Sequence, residues 1–94
     1  MSTKEKILEI LKQNFLIQHI EIEDDSHLHA GHAQAQKFGG GHFSVMIVSD
    51  NFEGKKIIER HRMIYDVLNA ELKSSVHALA IKALTSDEYE TLGS

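Results

Sequence analysis

The 94-residue chain carries 10 Lys and Arg against 14 Asp and Glu, a formal net charge of −4 with neutral histidines, and has neither cysteine nor proline. That length sets one small domain with one modest core, so residues 1–94 are expected to be a single domain. The acidic balance excludes nucleic-acid binding through overall charge and leaves only a local basic patch, and without thiols the chain alone makes no disulfide and no thiolate metal or cluster site.

The opening Met1–Phe15, MSTKEKILEILKQNF, carries acidic residues within its apolar pattern and is not expected to be a signal peptide. No apolar run approaches membrane-spanning length, so a cytoplasmic protein with no membrane association is the expectation. Ser2 followed by Glu5 makes a capping-box pattern. Ile7, Leu8, Leu11 and Phe15 then recur at helical spacing, with Ile10 at the edge, which predicts a helix over Thr3–Asn14.

His19–Glu23 alternates as a strand, with Ile20 and Ile22 on one face and His19, Glu21 and Glu23 on the other. A second strand is predicted over Phe43–Ser49, pairing with the first as an antiparallel hairpin. Phe52-Glu53-Gly54 is a tight turn or one helical turn. A long helix is predicted from Lys55 to about Lys73, its apolar stripe being Ile57, Ile58, His61, Ile64, Tyr65, Leu68 and Leu72. In that reading Lys56, Glu59, Arg60, Arg62, Asp66, Asn69 and Lys73 flank or oppose the stripe. A third strand is expected over Val76–Leu84; being apolar on both faces, it is either more buried than the first or covered at one end. Thr85 and Glu88 form a second capping-box pair opening a short final helix. The order α-β-β-α-β-α implies an α+β two-layer domain, a three-stranded sheet with helices on one face.

The connection between the first two strands, residues 25–43, holds His27, His29, His32 and His42, four of the seven histidines, and the run Gly39-Gly40-Gly41. Long polar connections carry function because a sheet can aim them, and imidazole is a common metal ligand. His27 and His29 share one side of an extended segment, Gly31 lets His32 fold back, and Asp24 and Asp25 offer oxygen nearby. A zinc or copper site made of histidine alone is chemically sound here, although on spacing alone a solvated polar loop is the simpler reading. His77 is either a strand-end histidine or a ligand aimed at the mouth of that loop. His61 reads as a partly buried core histidine, His42 as an anchor of the loop base and His19 as exposed. The triple glycine leads into a strand rather than a helix, so it is no phosphate cradle. Lys55, Lys56, Arg60, Arg62 and Lys73 put five cations on the second helix, a phosphate-tracking patch or a solvated face. No nucleophile set can be argued, and the chain is not expected to be an enzyme.

Taken together, Asp25-Ser26 with His29, His42-Phe43, Phe52-Glu53-Gly54, Arg60-His61-Arg62-Met63-Ile64-Tyr65 and Val76-His77-Ala78-Leu79-Ala80 resemble the BolA family over nearly the whole chain. The resemblance implies a KH-like type II fold with a mixed sheet. It also implies a monothiol glutaredoxin partner and a shared [2Fe–2S] cluster, the glutaredoxin and glutathione supplying sulfur. This chain would supply His77 and His29, with His27 and His32 as alternatives to His29, and no cluster is expected in the isolated chain. The family is also described as transcriptional regulators; the corresponding DNA contacts here would be Phe52, Gly54, Lys55, Lys56, Arg60 and Arg62. A G-x-x-G loop typical of KH domains is absent, Gly54-Lys55-Lys56-Ile57 standing instead.

Overall fold

The computed structural model describes residues 2–25, 41–74 and 76–93. Helix α1 spans Thr3–Asn14 as its periodicity predicts. The Ser2 hydroxyl caps it, accepting the Glu5 N–H at 3.1 Å and donating to Glu5 Oε1 at 3.1 Å. Ile7 and Leu11 are wholly buried and Phe15 nearly so, while Leu8 and Ile10 pack at the margin.

Strand β1 (His19–Asp24) pairs antiparallel with β2 (His42–Val48), and β3 (Ala78–Leu84) lies parallel to β2 on its other side. The register sets Ile22 beside Val45 beside Ile81, and Ile20 beside Ile47 beside Ala83. With Phe43, these make the core face. The opposite face carries Glu21, Glu23, Ser44, Met46, Ala80 and Lys82 and bounds a shallow depression of about 300 Å³. Ala78, Ala80 and Lys82 are exposed whereas Ala83 and Leu84 are buried, so β3 is covered at one end. At that end helix α4 (Ser86–Gly93) reaches the rim of the open face, where the Tyr89 ring stacks on His19 with centroids 5.0 Å apart. The Thr85–Glu88 pair caps α4 as expected: Thr85 N–H donates to Glu88 Oε1 at 2.8 Å, and Glu88 N–H to Thr85 Oγ1 at 3.3 Å.

The predicted second helix needs two corrections. It divides at Leu68 (φ −97°, ψ 9°) into α2 (Ile57–Val67) and α3 (Asn69–Ser74). Its inward face is also rotated from the expected one: Arg60 is 6% exposed, while Ile57, Ile58 and Tyr65 are 58%, 59% and 40% exposed. The buried row is Arg60, Ile64 and Leu68 at i, i+4, i+8. Counting Arg60 as polar swings the inferred stripe toward Ile58 and Tyr65. Burial of a guanidinium is tolerable only when its donors are satisfied, and here they are. Nε donates to Lys55 O at 2.9 Å, and Nη1 to Ala83 O at 3.0 Å and Glu88 Oε1 at 2.6 Å. Nη2 meets Glu88 Oε2 at 3.3 Å. A single turn of 3₁₀ helix over Asp50–Phe52 precedes α2, with Phe52 wholly buried and its ring 5.4 Å from that of Phe15.

Candidate metal-ligand site at the head of the sheet

The end of the sheet where β1 finishes and β2 and β3 begin is where the histidines were expected to converge. The ladder continues past β1, Asp25 N–H donating to His42 O at 2.7 Å. The Ser44 hydroxyl donates to the Asp25 carboxylate, fixing that side chain at the strand end. Gly41, in the left-handed region at φ 84°, turns the chain into β2. Its carbonyl accepts two backbone donors, His77 N–H at 2.8 Å and Ala78 N–H at 3.2 Å.

His77 therefore lies immediately before β3 rather than within it, fastened by its backbone to Gly41, and its side chain is exposed. Val76, one residue earlier, is 5% exposed. The buried valine holds the chain down while the imidazole next to it faces out. Asp25 and Gly41, the described residues on either side of 26–40, both lie at this end of the sheet, and Gly41 is the one bonded to His77. The expected partners His27, His29 and His32 lie outside the described residues. His42 is half-buried in β2, His61 half-buried on α2, and His19 Nε2 is 2.8 Å from Glu21 Oε2. Among the described residues no three His, Cys, Asp or Glu side chains are grouped to hold a metal.

The expected DNA-contact residues divide into three sets. Phe52 is a core ring and Arg60 is buried against Ala83 and Glu88, so neither is presented to a ligand. Gly54 (φ +75°) serves the turn, with nothing within 4 Å of where a Cβ would stand. Lys55, Lys56 and Arg62 are exposed. Sequence reasoning missed the Arg60–Glu88 contact, and the signal was half present: Glu88 was identified as a capping residue, but its second partner lies 28 residues away.

The family model for BolA-like proteins matches residues 11–88. The chain belongs to the BolA family. It is 40% identical over 92 residues to the Escherichia coli protein named DNA-binding transcriptional regulator BolA, covering 98% of this chain and 84% of that one. It is 51% identical over 73 residues to Arabidopsis thaliana SufE-like protein 1, covering 73% of this chain but only 20% of that longer protein. The BolA domain of SufE1 from A. thaliana superposes with a TM-score of 0.80 at 45% identity, covering 94% of this chain and 96% of that one. Mouse BolA1 gives a TM-score of 0.81 at 32% identity, covering 100% and 73%. The α+β fold with its mixed three-stranded sheet is thus the BolA fold. No helix among the described residues is long and apolar enough to cross a membrane.

Proposed function

We propose that this BolA-family chain is a non-enzymatic adaptor that docks a monothiol glutaredoxin and lends histidine ligands to a shared [2Fe–2S] cluster. The observation that supports the reading is His77: an exposed imidazole whose backbone is fastened to the residue where the histidine-bearing connection rejoins the sheet. The donor set fits half a site. The chain has seven histidines and no cysteine, so it can offer nitrogen to such a cluster while the sulfur ligands come from the partner and from glutathione. The bound cluster supplies one-electron chemistry whose potential depends on its ligand set. The chain's own part is to hold His77 in place and bring a second imidazole to it. His29 lies four residues past Asp25, so its Cα reaches no further than about 14 Å from that strand end. His27 and His32 remain alternative donors. Ligand imidazoles must be neutral, so the site weakens on acidification.

The test reconstitutes the chain with a monothiol glutaredoxin, glutathione, iron and sulfide and follows visible circular dichroism. His77→Ala should remove the mixed-ligand spectrum, and one of His27→Ala, His29→Ala or His32→Ala should do the same. A spectrum unchanged in the His77 variant overturns the assignment.

The exposed cations Lys55, Lys56 and Arg62 favour a second reading, duplex DNA binding, which the E. coli relative's name also suggests. Three phosphate contacts limit the salt dependence to a log–log slope of about −2.7. A steeper slope, or no binding at low salt, excludes this face as the DNA contact.

A further inference from the structure

Strand order leaves β1 at one edge of the sheet, the edge opposite the strand that follows His77. The bond from Asp25 N–H to His42 O fixes the phase of the antiparallel ladder. Antiparallel bonding alternates residue by residue, so Glu23, Glu21 and His19 turn their backbone groups toward β2. Ile20 and Ile22 turn theirs away from the sheet. Such an edge is ordinarily shortened, charged, or covered by another element. Here α1 does not close over it. Between the two runs a groove of about 560 Å³, lined by Leu8, Ile20 and Ile22 with Ser2, Lys4, Glu5 and Lys12 on its helix margin. That volume falls within the range of about 300–1,000 Å³ typical of ligand sites.

We propose that this edge takes an extended segment of another protein, added as a fourth strand, in which apolar and basic side chains alternate. Backbone bonding to Ile20 and Ile22 would supply affinity, and the alternation would supply choice. Every second side chain of the added strand enters the groove, where Leu8 and the two isoleucines require it to be apolar. The intervening side chains lie over the open face beside Glu21 and Glu23, both exposed, where a cation is favoured. A second copy of this chain does not meet that pattern, because β1, HIEIED, carries no Lys or Arg alternating with its isoleucines. Nucleic acid is disfavoured by the same two charges. The added strand would lie at the far edge from His77, so it does not compete with that site.

Two synthetic peptides test this on the full chain by amide NMR: acetyl-(Lys-Val)4-amide and acetyl-(Glu-Val)4-amide. The Lys-Val peptide should slow hydrogen exchange at the Ile20 and Ile22 amides and shift Leu8. The double variant Glu21→Lys/Glu23→Lys changes two exposed positions and should still fold. It should weaken the Lys-Val peptide roughly fivefold and turn the preference toward Glu-Val. Three results would each overturn the proposal: shifts confined to α2 or the surroundings of His77, charge reversal that leaves both peptides unaffected, or no binding of Lys-Val at its solubility limit.

Discussion

The two ends of the sheet handle their polar side chains in opposite ways. At the end where β3 finishes, Arg60 is brought inside and every contact it makes closes on the fold: two carbonyls and the carboxylate of Glu88. At the end where β2 and β3 begin, His77 is held just as firmly by its backbone, yet its ring is left outside. Arg60 and His77 both belong to the sequence patterns that mark the family. The comparison teaches that membership of a pattern does not reveal whether a residue holds the molecule together or is offered to something else. Burial and bonding separate the two.

The strongest way to break the contrast is Arg60→Ala. Removing the buried guanidinium strands the Ala83 carbonyl and takes the hydrogen bonds from Lys55 O and Glu88, a cost of about 2 kcal/mol. Urea denaturation should show a large drop in midpoint; a loss below about 1 kcal/mol would mean that Arg60 is no more structural than His77.

Acid titration sharpens the same end with a smaller effect. The hydrogen bond from Arg60 holds the Glu88 carboxyl below its ordinary 4.5, aided by the Thr85 N–H. The folded value therefore lies below the unfolded one. The stabilisation is fully present above the ordinary value and is lost as pH falls through the lowered one. Glu88→Gln should flatten that part of the acid-unfolding curve. Because Glu88 is 44% exposed, solvent screening keeps the effect below that of Arg60→Ala.

Ser2→Ala should cost about 1 kcal/mol by removing the α1 cap. The smallest stability change belongs to His77→Ala, within about 0.5 kcal/mol by thermal unfolding, with the backbone bonds to Gly41 retained. The same substitution should abolish the mixed-ligand cluster spectrum. Coincident loss of stability and spectrum would assign His77 to the framework instead.

Much of this architecture is legible in the chain. The Ser2–Glu5 and Thr85–Glu88 pairs mark helix starts because capping is local chemistry, and Ile20 and Ile22 mark the covered face of β1 because strand period is local too. The orientation of α2 was not legible. A periodicity argument assigns Arg60 to water, and only the contacts at Ala83 and Glu88, distant in sequence, reverse that assignment. The exposure of His77 was likewise hidden, since it stands in the apolar run VHALAIKAL and owes its position to a turn preceding β3. His29, His27 and His32 are nominated by sequence and family resemblance alone.

The paired acceptance of two N–H donors by the Gly41 carbonyl has a consequence for how such a domain can diversify. The backbone of His77 is mounted on Gly41, the point where the chain enters β2. Insertions between Asp25 and Gly41 alter closure entropy only logarithmically, about 0.6 kcal/mol for each doubling of length. Donor identity and spacer length are free to drift while the backbone beneath His77 keeps its attachment to Gly41.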